Sequence, residues 1–333
     1  MNKIINSAIL GFGHIARNFH LPAIKKYKKF KIIAACEKNL KLNIKKFYSK
    51  KIYVYSKNMF QREIFNTVFI FTPPYLHLRN IIEAIKFKKN IFIEKPIVLS
   101  LKEFSILKKN IKKKKIFIQC ALHQRFRPIS IAIKKLINNN KIGKIYYINI
   151  IHRKFRAIPK QSLIFSNKKY SGGGPLIDLG THYFDFVFWV LNFPKIKKIT
   201  CNTFSNIFKS KKAKKYLPFK NFNNEESAIG SINLFNNTLV NFELSYVSNL
   251  SEEKIKIEFF GENGSAIWPE NNYRVLNKNK LIKKKLKVNN RLASDLQIDD
   301  FYKNIINKKI NKNIYQYEYI VKLIDQLYKS SKK

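Results

Sequence analysis

The segment Ile5-Asn-Ser-Ala-Ile-Leu10-Gly11-Phe12-Gly13-His14-Ile15-Ala16 decides the fold of this 333-residue chain. A short apolar strand runs into Gly-x-Gly-x-x-Ala, and a helix-like segment follows. In such a turn the first glycine makes the bend, the second lets the backbone approach a pyrophosphate, and the small third residue lets helix pack on strand. The segment predicts a dinucleotide-binding turn with the pyrophosphate at the helix N-terminus. The expected cofactor contacts are Gly11, Phe12, Gly13, His14 and Ile15.

The sequence around this turn predicts a parallel sheet, because short β-branched runs alternate with helix-like segments. Ser100 is a predicted N-cap, and Glu103 completes a capping box. We assign residues 1–121 to a dinucleotide-binding domain of the α/β class. Its predicted strands are 4–10, 31–37, 52–55, 67–72, 90–94 and 116–120, and its predicted helices are 14–28, 38–50, 77–89 and 100–114.

Residues 122–333 show a different pattern, in which strand-like segments follow one another and several alternate apolar with polar residues. Asn236-Asn237 is a predicted hairpin turn between two of them. This pattern favours an antiparallel or mixed sheet in a second, α+β domain. Its predicted strands are 143–153, 196–207, 226–235, 238–248 and 254–261, its predicted helices are 128–139, 175–191 and 295–329, and 208–224 has the composition of a loop.

The composition is strongly basic, with a net charge of +46, yet only nine of the 66 basic residues are Arg. Lys is accompanied by abundant Ile, Asn, Phe and Tyr, which looks like an A+T-rich coding bias spread over the surface. A phosphate-tracking groove would instead concentrate basic residues on one face. We therefore expect no specific nucleic-acid partner.

The spacing of the cysteines and the length of the apolar segments indicate the cellular compartment of the protein. Cys36, Cys120 and Cys201 have no CxxC spacing, so we expect each to be a small buried residue in a reducing environment. No apolar run approaches the ~18 residues that span a bilayer, and the N-terminus lacks a signal-peptide pattern. The expected location is cytoplasmic, with no membrane partner.

An acidic residue, Glu37, follows the second predicted strand, 26 residues after Gly11. A carboxylate there can accept both ribose hydroxyls and repel a 2′-phosphate. We therefore expect NAD as the cofactor, with NADP possible. An ordinary exposed Glu is the alternative reading.

Two short motifs follow the fourth and fifth predicted strands, at the edge of the sheet where ligands bind in open α/β folds. Thr72-Pro73 is expected to contact the cofactor, and His77 either faces the cofactor or is a surface cap. Glu94-Lys95-Pro96 brings Lys95 to a position from which it can reach a substrate. Glu94 is expected to accept hydrogen bonds, and the Lys95-Pro96 bond is a candidate cis peptide.

Six of the ten glycines lie in the first turn and in Gly172-Gly173-Gly174-Pro-Leu-Ile-Asp178-Leu-Gly180-Thr-His182. Because glycine is scarce in the rest of this chain, its concentration here suggests backbone that has positive φ or that approaches a ligand closely. Asp178 and His182 share a helix face at i and i+4, and a carboxylate beside a histidine suits proton transfer. We expect no metal, because no further ligand pair has metal spacing. A core histidine is the alternative.

Arg125 and Arg127 lie close together in a chain that prefers Lys. We therefore expect these two positions to need the planar, bidentate geometry of a guanidinium, which the point charge of Lys does not offer. The pair either orients an acidic substrate or cofactor or locks the two domains together, and the second role is slightly favoured.

Together these motifs resemble the Gfo/Idh/MocA oxidoreductase family over essentially the whole chain. The resemblance implies an N-terminal Rossmann domain and a C-terminal domain built on an open, largely antiparallel sheet, which commonly forms dimers or tetramers. It also implies Lys95, Asp178 and His182 as the catalytic set. The motifs, which occur in the family's order, are Gly11-x-Gly13-x-x-Ala16, Thr72-Pro73, Glu94-Lys95-Pro96, Arg125-Phe126-x-Pro128 and Gly172-Gly173-Gly174-x-x-x-Asp178-x-Gly180-x-His182.

The expected activity is NAD(P)-dependent hydride transfer between nicotinamide and a secondary alcohol or ketone of a sugar, cyclitol or related polyol. His182 or Lys95 would take the hydroxyl proton, Asp178 would orient His182, and Lys95 would stabilise the developing alkoxide. Arg125 is a further candidate substrate contact. We expect a homodimer or homotetramer with a small polyol or keto-sugar substrate. An NAD-dependent glycosidase of the same fold and a non-catalytic nucleotide- or sugar-sensing regulator remain alternatives.

Overall fold

A computed structural model describes residues 3–38, 51–112, 114–156, 158, 164–215, 217, 222–308 and 314–332. The chain divides into two compact units. The first comprises Met1–His123 and Arg291–Glu318, and the second comprises Gln124–Asn290 and Tyr319–Lys333. Apart from Lys38, the helix predicted at 38–50 lies outside the described residues, and so does part of the loop predicted at 208–224.

The first unit contains a six-stranded parallel sheet in the order β3-β2-β1-β4-β5-β6, which is the Rossmann order. All six predicted strands are present. The strands are β1 (Ile5–Leu10), β2 (Phe30–Cys36), β3 (Ile52–Tyr53), β4 (Thr67–Ile70), β5 (Asn90–Ile93) and β6 (Ile118–Cys120), and the helices are α1 (Leu21–Tyr27), α2 (Ser56–Arg62), α3 (His77–Lys86) and α4 (Leu101–Ile111).

The starts of two helices in this unit are determined by residues close to them in the sequence. Ser100 Oγ accepts the N–H of Glu103, as in a capping box. The Glu103 carboxylate accepts the N–H of Leu99, whereas in a capping box it would accept the N–H of Ser100, one residue later. The helix predicted at 14–28 is not uniform, because a π-helical segment, Ala16–His20, precedes α1. Pro22 lacks the N–H that an α-helix would donate four residues back, so its position favours the wider turn.

The second unit is built on an eight-stranded sheet in the order β14-β13-β12-β11-β7-β10-β9-β8. Its pairs are antiparallel except β7 with β10, which run parallel. The turn predicted at Asn236-Asn237 joins β9 to β10. The strands are β7 (Ile145–Arg153), β8 (Ile196–Phe204), β9 (Ser227–Leu234), β10 (Leu239–Ser245), β11 (Lys254–Gly261), β12 (Gly264–Trp268), β13 (Asn272–Asn277) and β14 (Lys280–Lys285).

The helices of this unit include one long, largely buried element, α7, which packs on β9 and β10. Where 208–224 is described, the loop prediction is partly wrong, because two short helices lie there. The helices are α5 (Pro128–Asn138), α6 (Lys168–Ser171), α7 (Pro175–Val190), α8 (Asn206–Lys209) and α9 (Lys211–Lys214), followed along the chain by α10 (Ala293–Ile306) and α11 (Ile314–Ser330).

Helix α10 belongs to the first unit, so the prediction of one continuous second domain over 122–333 is wrong at residues 291–318. Phe301 is fully buried in the core cluster that also contains Phe30, Phe69 and Phe92. Tyr27 Oη donates a 2.8 Å hydrogen bond to Asp299 Oδ1, which ties α10 to α1. Apolar packing at the middle of α10 therefore completes the Rossmann core.

The three cysteines share one kind of environment. Cys36, Cys120 and Cys201 are buried free thiols, as predicted. Within the ranges described above, no helix is both long enough and apolar enough to cross a bilayer.

Candidate active site

The two glycines of the first turn have different surroundings. Gly11 has φ +87°, and a Cβ there would lie 2.8 Å from backbone atoms of Phe71 and Thr72. A Cβ at Gly13 would meet no protein atom within 4 Å. Protein packing therefore requires glycine at position 11, whereas the space beside Gly13 suits the approach of a dinucleotide phosphate.

The backbone of Phe12 connects the turn to Glu37. Its side chain is fully buried in the core, so only its backbone reaches the site. Its N–H donates a 2.7 Å hydrogen bond to Glu37 Oε2, and the N–H of Gly11 donates to Cys36 O at 2.9 Å. The carboxylate of Glu37 is thus held beside the turn, at the end of β2 where ribose recognition was predicted.

A cavity of about 580 Å³ adjoins the turn within the first unit. It is lined by Gly11, Glu37, Thr72 and Pro73, among others, which brings four of the predicted cofactor contacts to one cleft. Its lining also includes three cationic residues. These are Lys38, Lys57 and Arg79.

His14 and Ile15 lie at the start of the helical segment, exposed to solvent. His14 Nδ1 lies 2.7 Å from the Asn18 side-chain amide nitrogen. The backbone N–H groups of His14 and Ile15 lie in the first turn of the helical segment, where a bound anion is favoured.

His77 is not the surface cap that was one of its two predicted roles, and it does not line this cavity. Its contact with the cofactor stays a prediction. It is fully buried, with Nδ1 2.6 Å from Pro96 O and Nε2 2.8 Å from Thr72 O. Burial lowers its pKa, against the opposing effect of the two carbonyl oxygens. His77 therefore joins the loop after β4 to the loop after β5.

The segment Glu94-Lys95-Pro96 follows β5, and the Lys95-Pro96 bond is cis. Glu94 accepts hydrogen bonds as predicted, through Oε2 from the N–H of Lys95 at 2.9 Å and through Oε1 from His20 Nε2 at 2.5 Å. Lys95 is half-buried at the carboxyl edge of the parallel sheet. The sequence contained no signal for His20, because its partner lies 74 positions away.

The glycine cluster in the second unit meets a backbone and a packing requirement. Gly172 has φ +83°, one of the two predicted properties, and ends α6 in the left-handed conformation. A Cβ at Gly173 would lie 2.0 Å from Tyr328 Oη, and one at Gly174 would lie 2.1 Å from Glu225 O. Glu225 Oε1 accepts hydrogen bonds from the N–H groups of Gly174 and Leu176. This buried carboxylate caps the N-terminus of α7, where negative charge is stabilising.

Asp178 and His182 project from α7 one turn apart, both partly exposed. Tyr246 Oη donates a 2.6 Å hydrogen bond to Asp178 Oδ2. Burial and the neighbouring carboxylate of Asp178 raise the pKa of Tyr246 well above its ordinary value, so the phenol remains a donor. Tyr246, which directly follows β10, holds the carboxylate predicted to orient His182.

His152 lies beside this group and was also missed from the sequence. It is near the end of β7, paired in register with Leu244 of the parallel strand β10. Its Nδ1 lies 2.7 Å from Tyr183 Oη. Burial, assisted by the charge of Lys154, lowers the pKa of His152 to about 4, so the ring is neutral at pH 7.

Arg125 and Arg127 have separate environments. Arg125 forms a buried, bidentate ion pair with Asp185, at 2.7 Å from Nε to Oδ2 and 2.5 Å from Nη2 to Oδ1. This pair lies wholly within the second unit and joins the start of α5 to α7. Arg127 is half-buried with its guanidinium 4.8 Å from the Trp268 ring. Any contact of Arg125 with substrate would have to coexist with its ion pair.

Comparison with known proteins defines the class. The model of the oxidoreductase family with an NAD-binding Rossmann fold matches residues 5–121, and that of the GFO/IDH/MocA C-terminal domain matches residues 131–267. Because the two matches cover most of the sequence, this chain belongs to the Gfo/Idh/MocA family of NAD-binding oxidoreductases. The family, the fold class and the cofactor predicted from the motifs are confirmed.

Individual relatives are distant. D-glucoside 3-dehydrogenase of Escherichia coli strain K12 is 23% identical over 273 residues, which span 80% of this chain and 78% of that protein. The NAD(+)-dependent scyllo-inositol 2-dehydrogenase of Bacillus subtilis strain 168 is 32% identical over 126 residues, or 38% of this chain and 35% of that protein. Levoglucosan dehydrogenase in complex with NADH shares the fold, with a TM-score of 0.85 at 17% identity over 99% of this chain and 97% of the other.

The Arg125–Asp185 pair generates a stability prediction. Asp185→Asn leaves a buried guanidinium without its carboxylate, so we expect it to lower the free energy of unfolding by about 3–5 kcal/mol. The exposed i,i+4 pair of Lys329 and Asp325 offers a control, and Asp325→Asn should change it by about 1 kcal/mol or less. Urea unfolding measures both, and equal effects would contradict the assigned importance of the buried pair.

Proposed function

We propose that the chain is an NAD-dependent dehydrogenase acting on a secondary alcohol of a sugar, cyclitol or related polyol. The observation that carries the cofactor choice is the hydrogen bond from the Phe12 N–H to the Glu37 carboxylate, which fixes a negative charge beside the cofactor turn. The substrate class is supported by relatives named as glucoside and inositol dehydrogenases.

We propose Lys95, Asp178 and His182 as the residues that carry the reaction. Bound NAD supplies a hydride acceptor at C4 of the nicotinamide. As the alcohol carbon loses hydride, His182 or Lys95 takes the hydroxyl proton and a ketone forms. Where His182 is the base, Asp178, held by Tyr246, orients it and stabilises its protonated ring, while the Lys95 ammonium stabilises the developing alkoxide. Where Lys95 is the base, it starts as the neutral amine and becomes the ammonium as it takes the proton.

The cofactor proposal predicts that NAD binds at least about tenfold more tightly than NADP, because a carboxylate repels a 2′-phosphate. Glu37→Gln keeps an oxygen that can accept the Phe12 N–H but removes the charge. We expect this variant to bind NADP about tenfold more tightly than wild type does, with a smaller change for NAD. Titration followed by intrinsic fluorescence measures both affinities.

Two outcomes of that titration would change the proposal. Tighter binding of NADP by the wild type would mean that Lys38, Lys57 or Arg79 meets the phosphate. Binding of neither nucleotide would remove the dehydrogenase function.

The catalytic proposal predicts that Lys95→Ala and His182→Ala each lower kcat by about 10² or more and leave the Kd for NAD nearly unchanged. Lys102→Ala, which removes an exposed lysine of α4, is the matched control and should retain full turnover. Steady-state NADH formation from a panel of polyols measures kcat. Near-normal turnover in both variants would refute the assignment.

We propose further that the protein is cytoplasmic and forms a homodimer or homotetramer. The open face of the second unit's sheet supports self-association, because it presents Ile229 at 46% exposure and the stacked rings of Tyr147 and Phe260. Sedimentation velocity at micromolar concentration should show a dimer or tetramer, and a monomer alone would refute this part of the proposal.

A further inference from the structure

His20 is a buried titratable residue that the proposed reaction does not use. It ends the π-helical segment that follows the cofactor turn, and its side chain is almost fully buried. The N–H of Leu21 donates to Ala16 O across this wider turn. Short π-helical segments inside helices occur frequently at functional sites.

The His20 ring is fixed in one orientation by aromatic neighbours. It stacks on Phe71 with ring centroids 4.5 Å apart and planes within 6°, and it meets Phe92 edge-on at 5.4 Å. Nε2 is thereby directed at Glu94 Oε1, 2.5 Å away. Since a carboxylate oxygen only accepts, Nε2–H is the donor.

Glu94 carries this contact onward to Lys95. Its second oxygen accepts the N–H of Lys95, and its own N–H donates to Ile70 O at the end of β4. Burial raises the pKa of Glu94, but the hydrogen bond from His20 and nearby positive charge outweigh it and lower the pKa overall. Glu94 is therefore a carboxylate at neutral pH, held at both oxygens.

We propose that His20 is a positioning residue for the reaction. It holds Glu94 so that the carboxylate fixes the Lys95 peptide, and it ties the orientation of Lys95 to the helix that begins at the cofactor turn. The inference rests on the proposed function, because it takes Lys95 as a group that acts on the substrate. If His20 only filled the space beside Phe71 and Phe92, phenylalanine could replace it, because both of these neighbours are aromatic.

Two substitutions separate positioning from packing. His20→Phe keeps the stack on Phe71 and removes the N–H, whereas His20→Gln gives up the stack and places an amide N–H near the position of Nε2. We expect His20→Phe to lower kcat about 10- to 100-fold, with the Kd for NAD within about twofold of wild type. His20→Gln should recover kcat to within about fivefold of wild type. Full turnover in His20→Phe, or no recovery in His20→Gln, would overturn the proposal.

A second readout does not depend on turnover. The rate of reductive methylation of Lys95, measured by peptide mass spectrometry against exposed Lys102 in the same sample, reports how firmly Lys95 is held. We expect His20→Phe to raise the relative rate at least about threefold, a modest loss of positional restraint, and His20→Gln to return it toward wild type. Equal relative rates in all three proteins would refute the positioning role. If wild type binds NAD but turns over no polyol, the proposed function fails, and the methylation result still decides the role of His20.

Discussion

The first unit depends on the crowding at Gly11, where β1 ends against the backbone that follows β4. No side chain fits between them, since a Cβ would come within 2.8 Å of Phe71 and Thr72. This contact sets the bend, and the bend sends the side chain of Phe12 into the core while its N–H meets Glu37. The helical segment that begins after Gly13 then delivers His20 to Glu94. A steric limit at one position thus orders the cofactor cleft and the support of Lys95.

The second unit is organised by a buried carboxylate. Glu225 accepts the N–H groups at the start of α7 and the hydroxyl of Tyr328, so its charge is compensated by donors and by the helix dipole. Asp178 lies one turn further along the same helix, where Tyr246 holds it. Because β7 and β10 run parallel, His152 and Tyr246 emerge at the same end of the sheet. The proposed catalytic helix is therefore anchored by polar contacts from several elements.

Local pattern was sufficient for much of the fold and of the cofactor cleft. The Gly11 turn and the alternation of strands and helices predicted the Rossmann sheet, and Glu37, Thr72 and Pro73 do line one cleft. Strands β12, β13 and β14 were all missed, and the sequence of β14, KLIKKK, has no buried face to reveal it. The three consecutive glycines suggested positive φ or ligand approach; Gly172 has φ +83°, whereas Gly173 and Gly174 pack against Tyr328 and Glu225. The sequence shows that these positions carry no side chain, but it does not show which neighbouring group would collide with one.

Contacts between distant positions account for the remaining errors. His20 with Glu94 and Tyr246 with Asp178 are 74 and 68 residues apart, and no local spacing encodes either pair. The apolar periodicity of 295–329 correctly predicted helix, yet amphipathicity does not tell which core the apolar face covers. Phe301 and its neighbours return to the first unit, and for that reason the assignment of residues 291–318 to the second domain was wrong, although the division near residue 122 was placed within two residues. The catalytic roles of Lys95, Asp178 and His182 stay a prediction.

The return of α10 to the first unit has a consequence for the order in which the protein can mature on the ribosome. The cluster formed by Phe30, Phe69 and Phe92 is synthesised early, but Phe301, which packs against all three, is made only after residues 124–290 of the second unit. The nascent Rossmann sheet therefore exposes apolar surface while residues 124–290 of the second unit are translated. The unit that begins synthesis first is therefore completed only after residues 124–290 of the second unit have been made.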